Sequence, residues 1–181
     1  HDHKGRLLRH FALDIHLEHG QSYRVKPSLL CVRQDKMLAV ADTVKGVLLM
    51  TYISPGSQFE WVCVRSKVNE MFPTDMAFGS QDRLLTSESA ERCVVVRSVL
   101  DGAILMKISL PSIPTSLASD AMGTIIVADD DQITVFDATG TPLGVLLRRE
   151  HKAILPSWVR PRGLGFTQDG QSTVDPLLIQ F

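Results

Sequence analysis

No apolar stretch in this 181-residue chain approaches the roughly 18 residues of a membrane-spanning helix, and the N-terminal residues lack the core of a signal peptide. Excess charge of one sign is missing too. Nineteen Lys and Arg stand against twenty Asp and Glu, a formal charge of −1. That excludes a global polycation built for nucleic acid, so any basic surface must come from local segregation. Cysteine is scarce: Cys31, Cys63 and Cys93 lie about thirty residues apart, without metal-ligand spacing. They read as reduced small hydrophobes in a cytoplasmic or nuclear protein. Helical periodicity is lacking, since no 3.6-residue pattern persists beyond two turns. Gly-rich phosphate loops and a Gly-x-Ser-x-Gly elbow are absent as well. With 44% hydrophobic and 22% charged residues, what remains is one soluble globular domain large enough to need no disulfide or metal.

Internal repetition is what the sequence does have. Pro27, Pro73, Pro114 and Pro161 are separated by 46, 41 and 47 residues. Three and four places after each stands an apolar-small pair: Leu30-Cys31, Met76-Ala77, Leu117-Ala118 and Leu164-Gly165. Turn-forming residues follow at Asp35-Lys36, Gln81-Asp82, Met122-Gly123 and Asp169-Gly170. An apolar run then ends in an acid, at Asp42, Glu88 and Asp129, with Asp175 one place early in the last copy. Two further runs close each unit: Val47 to Tyr52 with Phe59 to Val64, Cys93 to Ser98 with Ala103 to Ile108, and Ile133 to Asp137 with Leu143 to Leu147. Turn signals at Pro55-Gly56, Asp101-Gly102 and Thr139-Gly140 separate them.

Four short apolar runs per forty-odd residues is the period of a β-propeller blade, each a four-stranded antiparallel sheet. Stacking blades buries both faces, which explains runs that are nearly continuous rather than alternating. The competing arrangement is an all-β sandwich with accidental periodicity. Whole units are expected at 25–71, 72–112 and 113–159, with partial units at 1–24 and 160–181, all in a single domain or segment.

Pro114-Thr115-Ser116-Leu117-Ala118, Gly123 through Asp129, and Ile133-Thr134-Val135-Phe136-Asp137 with Gly140 resemble an NHL repeat. Lys26-Pro27 through Thr43 resembles it less fully, and Phe72 to Phe78 opens a third copy with Ser-Glu for Ala-Asp. The resemblance implies about four blades of a propeller that typically has six. A truncated larger ring is the expectation, because the chain starts within a unit; joining both ends in one fourth blade is the alternative. It is closest in character to the C-terminal propellers of tripartite-motif ubiquitin ligases, non-catalytic themselves, which bind protein partners or single-stranded RNA. The Asn that often follows Val-Ala-Asp in that family is replaced here by Thr43, Ser89 and Asp130. No Cys/His spacing fits a RING or B-box zinc site, so ligase activity would lie outside this sequence.

Blade topology puts second-to-third-strand loops and inter-blade links on one face. Three links are basic: Tyr23, Arg24 and Lys26; Arg65 and Lys67; and Arg148, Arg149, Lys152, Arg160 and Arg162 with Trp158. They hold nine of the nineteen Lys and Arg. Cations with interleaved aromatics suit single-stranded RNA, whereas Asp42, Glu88, Glu91, Asp129, Asp130 and Asp131 share the face and favour a protein partner. The recurring acid reads as a turn acceptor. Asp129-Asp130-Asp131 lacks the alternating form of a calcium loop, and His1, His3, His10, His16 and His19 lack zinc spacing. Inner-strand positions Ser28, Thr74, Thr115 and Arg162, with Asp75 the only acid, assemble no catalytic set. The expectation is a non-enzyme without cofactor, membrane contact or small-molecule substrate.

Overall fold

Apolar runs of three to seven residues, each closed by a turn-former, become fourteen strands among the described residues of the computed structural model. It describes residues 14–16, 22–33, 36–44, 46–52, 62–65, 73–148 and 164. Strands β1 (Asp14–His16) and β2 (Ser22–Arg24) form a two-stranded sheet. Three antiparallel four-stranded sheets follow, each a meander in chain order. The first holds β3 (Leu29–Val32), β4 (Met37–Asp42), β5 (Val47–Tyr52) and β6 (Val62–Arg65). The second holds β7 (Pro73–Gly79), β8 (Arg83–Glu88), β9 (Cys93–Ser98) and β10 (Ile104–Ser109). The third holds β11 (Pro114–Ser119), β12 (Ile125–Asp129), β13 (Gln132–Phe136) and β14 (Pro142–Arg148). The fold is all-β, and the sheets are blades. The copy at Asp169-Gly170 and Asp175 lies outside the described residues.

Burial on both faces accounts for the composition of the middle strands. Met37, Ala39, Ala41, Leu48 and Met50 point toward the second blade and meet Met76, Leu84 and Val99. Alternate residues Leu38, Val40, Val47 and Leu49 point the other way with Val25. The second blade repeats this scheme, its Leu85, Val94, Val96 and Ile108 packing on Leu117, Ile125, Val127 and Phe136. With both faces covered, a period-two strand shows an unbroken apolar run. Innermost strands β3, β7 and β11 lie side by side, so successive sheets stack radially. That arrangement displaces the two-sheet sandwich.

The repeat now has a structural reading. Pro73 and Pro114 open their innermost strands directly opposite Glu88 and Asp129, and a register shift follows each proline. Proline donates no N–H, so it belongs at a strand start or bulge. Gln81, Asp82, Lys36 and Gly123, at the expected first-to-second-strand turns, all have positive φ. Several strand ends differ by a residue: β10 runs from Ile104 to Ser109, β6 and β14 run on to Arg65 and Arg148, and β13 spans Gln132 to Phe136, Asp137 leaving the ladder to accept turn N–H groups from Thr139 and Thr141.

Candidate functional site

Antiparallel meanders put the β4–β5, β8–β9 and β12–β13 turns on the same face as the links entering β3, β7 and β11. The acids of this face are largely architectural. Buried Asp42 accepts the Lys26 N–H at 2.8 Å and the Val44 N–H at 3.1 Å, tying link to turn. Asp129, 2% exposed, accepts the N–H groups of Asp131 and Gln132 at 2.8 Å each. Burial pushes its carboxyl above the usual aspartate range, and those N–H bonds offset only part of this. Glu88 accepts the Thr86 hydroxyl at 2.9 Å. Asp131 accepts the Ser112 hydroxyl of the neighbouring link at 2.6 Å.

Among the described residues, Lys26 lies in a link as expected, whereas other cations close strands. Tyr23 and Arg24 belong to β2, paired with Ile15 and Asp14; Arg65 ends β6 opposite Val47 and Arg148 ends β14 opposite Gln132. This corrects their expected placement in links, because ladder pairing runs on to the final cation of each outer strand. Val25, the first residue of the first link, is buried instead. Arg24, Lys26 and Arg148 are exposed. Lys67, Arg149, Lys152, Trp158, Arg160 and Arg162 lie outside the described residues, as do the side chains of Tyr23 and Arg65. Arg24, Arg65 and Arg148 thus share a face but stand on separate sheets.

The second blade interrupts the basic series. Its link, Leu110 to Ile113, carries no cation, and Lys107 pairs with Glu91 at 2.6 Å, both about half exposed. That contact holds the Glu91 carboxyl below and the Lys107 ammonium above their ordinary ranges. Exposed Arg92, in the β8–β9 turn, joins this face unforeseen, because its neighbour Glu91 made the segment look acidic. Among the described residues no group of three or more His, Cys, Asp or Glu is placed to hold a metal ion, and no helix is long and apolar enough to cross a membrane.

Asp75, the single acid of the inner positions, works between blades. Its Oδ2 accepts the Ser116 hydroxyl at 2.8 Å and the Leu117 N–H at 2.9 Å. The Thr74 hydroxyl donates to the Pro114 carbonyl at 2.9 Å. On the opposite face Arg33 pairs with Asp82 at 2.8 Å and lies 5.4 Å from the Phe78 ring centre, joining first and second blades.

No family model matches the sequence, and no curated protein does. Solved structures do resemble the fold. The β-propeller domain of Cps50 (Swd1) from Myceliophteria thermophila aligns over 64% of this chain and 42% of its own, with 10% identity and a TM-score of 0.54. BBS1N, solved in complex with ARL6DN, aligns over 68% and 37%, with 14% identity and a TM-score of 0.53. Saccharomyces cerevisiae Sqt1 aligns over 70% and 37%, with 12% identity and a TM-score of 0.55. This chain spans about two fifths of the length of these structures, and its sheets are blades of a β-propeller.

Proposed function

We propose that this chain is a non-catalytic platform that recognises a protein partner on its link-side face. The units at 25–71, 72–112 and 113–159 and the partial units at 1–24 and 160–181 are read as one propeller domain or a segment of one. One observation carries the reading. Exposed Arg24, Lys26, Arg92 and Arg148 are interspersed with Glu91, Asp130 and exposed Asp131 on that face. A surface of mixed sign complements another protein surface and repels a polyanion wherever a carboxylate intervenes. BBS1N, which resembles this chain in fold, was solved with a protein bound. The NHL-like repeat supports the finer assignment, a tripartite-motif type ubiquitin ligase whose catalytic module lies outside this sequence, in the cytoplasm or nucleus.

Single-stranded RNA is the second reading, favoured by the cations that close β2, β6 and β14. Fluorescence anisotropy of labelled random RNA oligomers at low and high salt separates the two. The protein reading expects no binding at low salt and cross-linking of a cellular protein to a photoreactive residue placed at Arg92. Salt-sensitive RNA binding that weakens in a combined Arg24, Lys26, Arg92 and Arg148 to Ala variant would replace it with the RNA reading.

A further inference from the structure

One buried cation of the second blade lacks a counter-charge. Arg97, on β9, is 8% exposed, and its Nε is buried with no hydrogen-bond partner. The ion pairs between described residues are Arg33 with Asp82 and Lys107 with Glu91, and Arg97 enters neither. Glu88 and Glu91 are the acids whose charges act on it, yet burial outweighs them and leaves the guanidinium below its ordinary range. Both acids are engaged by other groups. Glu88 accepts the Thr86 hydroxyl at 2.9 Å, and Glu91 accepts the Lys107 ammonium at 2.6 Å and the Cys93 thiol at 3.7 Å. A guanidinium taken out of water without a paired anion is costly, so buried arginines normally have one.

The ladder places this group at a blade junction. Arg97 stands opposite Leu84 on one side and Ile104 on the other, so the three side chains leave the sheet on the same face. Leu84 belongs to the core shared with the first blade, and Arg97 therefore faces that blade too. Along the row, exposure rises outward from Leu84 at 0% through Arg97 to Ile104 at 51%. Burial thus gives way to solvent one strand beyond Arg97, and a ligand reaches it over β10. The planar N–H fork of a guanidinium matches the two oxygens of a carboxylate. Glu88 and Glu91 repel any added anion, and they repel a phosphate dianion more than a single carboxylate.

We propose that Arg97 is the recognition residue of a carboxylate-binding site at the junction of the first and second blades, entered over β10. The carboxylate belongs either to a free organic acid or to an acidic side chain of a protein partner. The site does not depend on the role of the link-side face. Its test is the Nε–H resonance of Arg97 in the isotope-labelled chain, titrated at constant ionic strength with sodium acetate, an acetylated and amidated Gly-Glu-Gly peptide, sodium phosphate and sodium chloride. A saturable shift with acetate is expected, and none with chloride. A response to the peptide as well identifies the source as a partner side chain, and a response to acetate alone identifies a free acid. Arg97→Lys keeps the charge but loses the fork, and should abolish the rise in melting temperature that acetate gives the wild type. The titration itself needs no variant, so it stands even if Arg97→Lys fails to fold. No shift with acetate, an equal shift with chloride, tighter binding of phosphate than of acetate, or an Nε–H already bonded to Glu88 or Glu91 in the free chain would each overturn the proposal.

Discussion

At the scale of single residues, burial decides what the ionisable groups can do. Cys31 is pushed up to about 12, first by burial and then by the Asp75 charge; Cys93 is pushed up to about 11 by burial and then by Glu91. The thiolate is the reactive form, so both should react with iodoacetamide on the order of 100-fold more slowly in the native than in the urea-unfolded chain, read by site-resolved mass spectrometry. Rapid native labelling of either would contradict the packing. Asp129 gives a pH-dependent counterpart. Its folded carboxyl keeps its proton to a higher pH than the unfolded one, so its stabilising contribution is complete below the unfolded value and is lost as pH rises through the folded one. Asp129→Asn retains an acceptor for the two N–H groups without burying a charge, and should melt at or above wild type at neutral pH. That advantage should vanish on acidification past the aspartate range; a gap that widened instead would refute the account. Asp129→Ala strands both N–H groups and should cost about 1–3 kcal/mol.

Among elements, one turn recurs with different residues at its critical position. Lys36, Gly123 and Gly140 donate their N–H groups back to Arg33, Asp120 and Asp137, whose own N–H groups reach Met37, Thr124 and Thr141. Each central residue has positive φ, 71° at Lys36, 91° at Gly123 and 80° at Gly140. A left-handed lysine is strained by about 1–2 kcal/mol, so Lys36→Gly should raise stability by up to about 1 kcal/mol after its entropic cost. Gly123→Ala should lower it by about 2–4 kcal/mol. Its Cβ would lie 2.8 Å from both the Ala138 Cβ and the Ser80 hydroxyl, where the second and third blades meet. Urea midpoints of both variants check the pair, and matching shifts of the same sign would sink the argument. These turns were legible in the sequence because glycine and aspartate mark them locally. So were the prolines and the terminal acids, which face one another across the ladder. The ends of outer strands were not, because whether Arg24, Arg65 and Arg148 stay paired depends on neighbouring strands. Arg92 was missed for a different reason, its sign being masked by the acid beside it.

On the scale of the whole molecule, stacked blades touch only their neighbours, so stability should behave as blade terms plus interface terms. The second interface has a polar component that the sequence did not announce. Asp75 sits where a catalytic acid was sought, yet its carboxylate is spent on Met76, Ser116 and Leu117. Hydrogen bonds to a charged acceptor contribute about 1.5–3 kcal/mol each, and here two of the three cross to the next blade. Asp75→Ala should therefore cost about 2–4 kcal/mol and do so unevenly. Amides of β11 to β14 should exchange with solvent earlier than those of β3 to β5, whose contacts with the second blade, Met76 against Met37, Ala39 and Met50, are untouched. Asp101→Ala is a suitable control, since Asp101 accepts an exposed turn N–H within its own blade and its loss should alter exchange only near that turn. Equal loss of protection in first and third blades would mean that the stack unfolds as one body, with Asp75 holding a blade edge rather than the joint between two blades.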